Sequence, residues 1–547
     1  MDSDGRQETG TRFRESHQPS RARHAAPLSW WDQRNGAAVS LRLDAVRKQG
    51  RATGGESLRD YHAGTRTATG DWQAHALGRS PGDSDRRSAV SHSVVIRGGT
   101  VVLPTGQKPA DIAVTDGIIT AIGSEVSDGA AVIDARGLVV LPGVVDSHVH
   151  FNEPGRAEWE GWEAGTRGAA RGGVTTVLEM PLNAHPPTTT ALAFDAKVAV
   201  ASRKALVDFG LWGGMVPENL AELPALAGRG VVGFKAFMSD SGIEDFHRVS
   251  DGLLAIGLKV TARLNALVGV HAESHKMVER TTREVREEGR VDRLAWCRAR
   301  PPAAEVEAIK RLLVCMRGAG KGVRAHVVHV SCAAGLAEVD AARNNGVAIT
   351  AETCPHYLAF TEQDFERIGP ALKCAPPIRD AATRDGLWDA LLAGQVDLIG
   401  SDHSPCPAAD KQKGDDDIWQ AWGGVSGIEA TLPVLITDGL HARGLSLERI
   451  AYLTATSPAQ LFGLYPRKGA IAVGADADFA LIDPQKQWTL DADALETRSG
   501  ISAYLGQTFT GKVIRTLVRG RTVFVEDQIV GAPGWGQLVK PNAPHAN

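Results

Sequence analysis

Residues 141–152 read LPGVVDSHVHFN. An apolar run leads into two histidines, His148 and His150, separated by one residue. In an extended strand successive side chains alternate in direction, so both imidazoles leave the same face. A lone HxH is a weak signal. Seven further apolar runs resemble this one: VTTVLEMP (174–181), FGLWGGM (209–215), VVGFKAFM (231–238), LVGVHAES (267–274), AHVVHVS (325–331), VAITAET (347–353) and VDLIGSDHS (396–404). Near-continuous apolar character is the mark of parallel strands buried on both faces. Helix-like stretches lie between the runs, such as EWEGWEAGTRGAARG (158–172) and AEVEAIKRLLVCMRGAG (304–320). Eight strand-then-helix units predict an α/β fold of the closed parallel (β/α)8, or TIM, barrel type, with its active site where the strands end.

Metal-binding residue types stand at those ends. His148 and His150 are joined by Lys235 in GFKAFM, His271 in GVHAES, His329 in VVHVSC and Asp402 in GSDHSP. Imidazole nitrogens and a carboxylate suit zinc and similar divalent ions. Lys235 is the odd member, because an ammonium cannot ligate a cation. Burial lowers a lysine pKa and frees the amine. A free amine can add carbon dioxide to form an anionic carbamate, which would bridge two metals. His356 in CPHY, His403 in SDHS, Glu179 and Glu352 are candidates for orienting the ligands. The segment CPAADKQKGDDDIWQAWGG (406–424) follows the last strand and is a candidate lid over the barrel mouth.

The flanks have a different texture. SVVIRGGTVVLP (93–104), DIAVTDGIITAIG (111–123) and AAVIDARGLVVLPG (130–143) are short strands with glycine-containing turns. The pattern returns in GADADFALIDP (474–484), QWTL (487–490) and GKVIRTLVRGRTVFVEDQIV (511–530). The expected organisation is therefore a β-sandwich built from residues 94–142 and 465–530, around a barrel of residues 143–464. Residues 531–547, with several Pro and Asn, are expected to form a loose tail.

Residues 1–93 hold 14 Arg and one Lys against eight Asp and three Glu, giving that segment +4 and the remainder −8 within a net charge of −4. Rich in Ser, Gly, Arg and Gln and without sustained periodicity, the segment cannot offset its ordering entropy by burial and is expected to be disordered. Its mixed charge and lack of interleaved aromatics argue against a nucleic-acid arm, and its acidic residues against a transit peptide. No Met occurs between Met1 and Met180, so a start at Val90, Val94 or Val95 is a further expectation, which N-terminal sequencing of the native protein would decide.

At 547 residues and 43% hydrophobic content the chain can bury a large core with a smaller companion domain. No apolar run approaches the ~20 residues of a membrane span, and no secretory signal pattern opens the chain. The six cysteines (Cys297, Cys315, Cys332, Cys354, Cys374 and Cys406) form no CxxC pair, which fits reduced thiols in the cytoplasm.

Over about residues 94–530 the sequence resembles the cyclic amidohydrolases of the amidohydrolase superfamily, which include dihydroorotases, dihydropyrimidinases or hydantoinases, and allantoinases. The resemblance is carried by DSHVHFNEPGRAEWEGWEAGTRGAARGGVTTVLEMPLN (146–183), GFKAFM (233–238), EVEAIKRLL (305–313), CPHYL (354–358), KCAPPIRD (373–380) and SDHSPCP with IWQAWGG (401–407 and 418–424), and is strongest to allantoinases. It implies two divalent metal ions, zinc first, with iron, cobalt, nickel and manganese as alternatives. His148, His150 and Asp402 match the ligands of one ion, and His271 and His329 those of the other. Lys235 matches the carboxylated lysine that bridges them. Asp402 would also carry the proton between attacking water and leaving ring nitrogen. Where dihydroorotases place an arginine for their substrate carboxylate, Asn152 stands here, and the CPxY position holds His356 rather than the glutamine usual in dihydropyrimidinases. The resemblance thus implies hydrolysis of allantoin to allantoate, with another hydantoin-type ring as runner-up. Asn152, Cys354 and Ala375 would contact the ring. A homotetramer is implied, with no nucleic-acid or membrane partner.

Overall fold

Helices, the longest of 14 and 18 residues, and short, largely buried strands alternate along the middle of the chain. The computed structural model describes residues 92–542, apart from 125 and 128. The basic arm and the downstream start sites at Val90 lie outside the described residues.

The barrel strands are β1 (Val144–Val149), β2 (Val174–Glu179), β3 (Asp208–Leu211, continued by Gly213–Gly214), β4 (Phe234–Phe237), β5 (Leu267–His271), β6 (Arg324–Val327), β7 (Ile349–Thr353) and β8 (Leu398–Ile399). Every residue of β1, β2, β4 and β5 is buried. All neighbouring pairs are parallel. β3 changes partner at Trp212: its first half pairs with β2 and its second with β4. The ring closes just past the end of β8, where His150 donates its backbone N–H to His403 O at 2.8 Å beside a Val149–His403 bridge. The eight-stranded barrel expected from the apolar runs is therefore present.

Local chemistry starts the crossover helices. Thr190, Ser250 and Asp380 accept from backbone N–H groups three residues on and cap Ala191–Lys204, Asp251–Arg263 and Ala381–Leu392. Pro302 opens Pro302–Ala319, where its missing N–H costs nothing.

The flanks meet in one nine-stranded sheet. Val139–Pro142 runs antiparallel to Phe479–Ile482, which stitches the N-terminal strands to the C-terminal ones. Ile96, Ile112, Val140, Phe479, Leu481 and Leu517 are fully buried in its core. The chain passes from sheet to barrel at Gly143, where an added Cβ would fall 2.2 Å from Thr175 Oγ1. Beneath the barrel, Asp208, Asp476 and Asp478 converge on the ammonium of Lys468 (2.5, 2.9 and 2.6 Å), with Arg519 also on Asp208. With Arg467 on Asp476 at 3.0 Å, this acidic trio faces three cations, Lys468, Arg519 and Arg467, and joins the barrel to the sheet.

The expectation of a loose tail from residue 531 is corrected up to Asn542. Phe209 donates to Gln537 O (2.9 Å) and accepts from Val539 N–H (2.8 Å), so the tail runs beside β3. Trp535 stacks under the guanidinium groups of Arg519 and Arg521 at 4.7 and 4.8 Å. The Pro and Asn content masks Trp535, Leu538 and Val539, whose burial offsets the cost of ordering the segment.

Candidate metal centre

β1 delivers both histidines into the barrel mouth, and each is held by its second ring nitrogen. His148 Nδ1 donates to Glu352 Oε1 at 2.6 Å, and His150 Nδ1 donates to the Leu182 carbonyl at 2.7 Å. Both Nε2 atoms therefore carry lone pairs. They converge on Asp402 Oδ1 at 3.3 and 3.4 Å. This trio has the donor set and spacing for one divalent ion.

A second donor pair lies beside it. His271 Nε2 donates to Glu273 Oε2 at 2.7 Å, leaving Nδ1 with its lone pair 3.2 Å from His329 Nε2. Tetrahedral Zn–N bonds of about 2.0–2.1 Å set nitrogens about 3.3 Å apart. The rings of His148 and His329 are 5.4 Å apart, so the two groups share one site.

Lys235 completes the set. It is fully buried, and its Nζ has no hydrogen-bond partner among the described residues. Burial pulls its ammonium down to about 8, against the pull of Asp402 and Glu352. A bare buried ammonium is costly, whereas a carbamate between two cations would be satisfied. All six residues line one cavity of about 420 Å³. The donor chemistry and the orphaned lysine nitrogen both fit a two-metal centre.

The backbone is bent to achieve this. His329 and Asp402 have φ of 42° and 47°, in the left-handed region that side-chain-bearing residues seldom adopt. Gly400 gives the needed room below, since a Cβ there would lie 2.7 Å from Ser147 Oγ and 3.0 Å from His148 Cβ.

A family model described as "Amidohydrolase family" matches residues 139–523. The chain belongs to the amidohydrolase family. This amidohydrolase is 48% identical to the allantoinase of Rubrobacter xylanophilus over 449 residues, which cover 82% of this chain and 97% of that protein. It is 41% identical to the allantoinase of Escherichia coli O1:K1 over 454 residues, covering 82% and 99%. Among solved structures, the L-hydantoinase of Arthrobacter aurescens superimposes with a TM-score of 0.80 at 37% identity, covering 82% of this chain and all of that one.

The amidohydrolase's electrostatics favour neutral imidazoles and an ionised carboxylate. Burial pushes His148 and His271 below their ordinary range and His329 well below it. Burial would raise Asp402, and protonated His148 and His150 would hold it below the usual carboxylate range; beside neutral imidazoles, bound cations would take that place. The same balance holds Glu352 low: burial opposes, His148 and His326 prevail. Glu352 also accepts from Ser147 Oγ at 2.7 Å and lies 3.2 Å from His326 Nε2.

The other expected residues separate. Glu179 accepts Lys197 Nζ at 2.6 Å and the Phe151 N–H at 3.3 Å, one residue past His150. His356 is buried with its Nε2 unpartnered among the described residues, and it clusters with Cys354 and Asp402. His403 instead faces away, accepting the Gly427 N–H at 3.2 Å and lying 3.3 Å from Glu160. Ala375 lines the cavity, but Asn152 and Cys354 do not. The Asn152 amide donates to Pro405 O (3.3 Å) and accepts from Asn183 (3.1 Å), which ties it to the wall beside the cavity. Cys354 is fully buried, its sulfur within 4.8 Å of ligand atoms of His356 and Asp402.

Sequence reasoning missed Glu273 and Arg300. Arg300 bonds Glu273, which bonds His271, and so fixes that ring. Glu273 sits two residues past His271 in HAES, a signal of period two along a strand end. The candidate lid does flank the cavity: Asp410, Lys413 and Trp419–Gly424 line it.

Proposed function

We propose that this amidohydrolase opens the ring amide of allantoin to give allantoate, with two divalent ions held by His148, His150 and Asp402 and by His271 and His329, and with Lys235 as a bridging carbamate. The likeness to allantoinases at 41–48% identity over 82% of the chain carries the substrate. The convergence of six donor residues on one cavity supports the chemistry. Zinc suits the nitrogen-rich donor set, and iron, cobalt, nickel and manganese share its ligand preferences.

Bound ions supply Lewis acidity and lower the pKa of water toward neutrality. The chain's own residues do the rest. Asp402, ionised and at the strand end, takes the proton of the attacking water and returns it to the leaving ring nitrogen, because an amide anion leaves poorly. Glu352, Leu182 O and Glu273 fix the tautomers of His148, His150 and His271 so that lone pairs face inward. Trp296, Trp419 and Trp422 wall the cavity and limit bulk water.

A cytoplasmic setting is part of this reading, supported by six free, buried cysteines; so is a homotetramer, supported by the family resemblance. No helix among the described residues is long and apolar enough to cross a membrane. The solved-structure likeness to an L-hydantoinase favours a second reading, a related hydantoin substrate. A panel of allantoin, hydantoin, dihydrouracil and dihydroorotate separates them. Turnover of allantoin with the highest kcat/KM is expected; a higher value on another ring would replace the substrate assignment.

A further inference from the structure

Two lysines beside the cavity are buried without an ion-paired carboxylate among the described residues. Lys373 and Lys411 are 3% and 5% exposed. Lys373 Nζ donates to Ile418 O at 2.8 Å and Ala421 O at 2.6 Å. Lys411 Nζ donates to Trp422 O at 2.9 Å and Gly424 O at 2.5 Å. Four carbonyls within seven residues are thus held by two side chains from outside the segment. We propose that Lys373 and Lys411 are positioning residues that fix segment 418–424 as the specificity wall of the allantoin pocket.

The placement of these contacts supports the role. Segment 418–424 contributes Trp419, Gln420, Ala421, Trp422, Gly423 and Gly424 to the cavity lining. It has little regular structure of its own, only one 3-10 turn over Ile418–Gln420, so its carbonyls must find partners elsewhere. Lys373 also engages it through the backbone, accepting the Gly424 N–H at 2.7 Å. The next two residues, Cys374 and Ala375, line the cavity from the opposite side of this seam. The wall is therefore sewn to the strip that carries Ala375.

Aromatic contacts extend the clamp. The Lys373 ammonium sits 4.1 Å from the Trp296 ring centre, and Trp296 donates its indole N–H to Cys374 O at 2.7 Å. Trp296 meets Trp419 edge-on at 5.9 Å, and Arg286 covers Trp419 at 4.7 Å. Cation–π contacts with these half-buried rings add to the hold. Gly424, at φ 142°, is committed as well: a Cβ would fall 2.2 Å from Ser404 O. Burial pulls Lys373 down to about 7 and Lys411 to about 8. An amine retains two N–H donors in either protonation state, enough for the two close carbonyls each one holds.

A segment tied at four carbonyls is a fixed wall, not a flap that opens in each turnover. The wall sets which ring substituents fit, while the metal ligands set the chemistry. This assignment rests on the reading that the cavity takes allantoin. The test is steady-state kinetics of Lys373→Met and Lys411→Met on allantoin and hydantoin, with metal content and hydrogen exchange of the 406–424 peptides measured on the same samples. KM for allantoin should rise at least tenfold with kcat within threefold, metal content unchanged, faster exchange in 406–424 and weaker discrimination against hydantoin. Should Lys373→Met not fold, Lys411→Met and Gly424→Ala must give that signature. KM within twofold of wild type, or a loss of kcat with metal at unchanged KM, overturns the assignment. A wild-type protein that does not turn over allantoin sinks the substrate reading and this one with it. Wild-type turnover with unmoved variants sinks only the loop assignment.

Discussion

Replacing Glu352 with leucine removes one carboxylate that serves three neighbours. Glu352 is fully buried, takes the His148 Nδ1–H at 2.6 Å and the Ser147 hydroxyl at 2.7 Å, and stands 3.2 Å from His326. Leucine fills nearly the same volume, so the change is electronic more than steric. It strands the His148 N–H and the Ser147 O–H in the interior. Each buried unsatisfied donor costs about 1–3 kcal/mol, so stability should fall by roughly 2–6 kcal/mol. Without its acceptor, His148 is free to rotate or to adopt the other tautomer. Losing a carboxylate that orients a ligating histidine typically costs about 10–100-fold in metal affinity, or about 1.4–2.8 kcal/mol. Glu352→Gln should lie between, because its amide oxygen still accepts from His148. The assay is a competitive chelator titration of the metal-loaded protein, paired with urea unfolding of the metal-free form. Chelator curves for Glu352→Leu that overlay wild type, with unfolding shifted by less than about 0.5 kcal/mol, would refute the role given to this carboxylate.

Asp402→Asn should abolish allantoin turnover while far-UV circular dichroism stays that of wild type; near-normal kcat would remove Asp402 as proton carrier. Gly165→Ala should destabilise by about 1–3 kcal/mol, because its Cβ would fall 2.3 Å from two ring carbons of Phe151; an unchanged melting temperature would show that the Phe151 ring moves aside freely. Glu429 should make stability pH-dependent. Burial raises its carboxyl from 4.5 to about 8, with Arg171 at 3.6 Å only partly opposing. The folded state then holds the proton more tightly than the unfolded one, so stability falls as pH rises from about 4.5 to 8. At pH 8 Glu429→Gln should exceed wild type by on the order of 3–5 kcal/mol, and the gap should close toward pH 5; parallel unfolding profiles would contradict this.

The parts of the fold that were legible share a physical cause. Parallel strands covered by helices are buried on both faces, so VVDSHV and VTTVLE carry Val or Leu on both faces rather than in strict alternation, and catalytic side chains stand where such strands end. The parts that were hidden depend on partners remote in sequence. Glu352 meets His148 across 204 positions, and the Leu182 carbonyl that holds His150 has no side-chain signature at all. Asn152 follows the HxH unit, yet its amide bonds Pro405 and Asn183, 253 and 31 positions away. The tail misled by composition, since Trp535 and Val539 are diluted among Gly, Pro and Asn. Lys373 and Lys411 gave no sequence signal as a pair, because what joins them is the set of carbonyls they share.

Allantoate formation from allantoin by the purified protein, before and after a chelator and again with divalent metal restored, tests the central claim most directly. The account predicts turnover that disappears on chelation and returns with metal, at about two ions per chain. Absence of turnover in protein that holds two ions would contradict the substrate, and turnover that survives complete metal removal would contradict the metal centre itself.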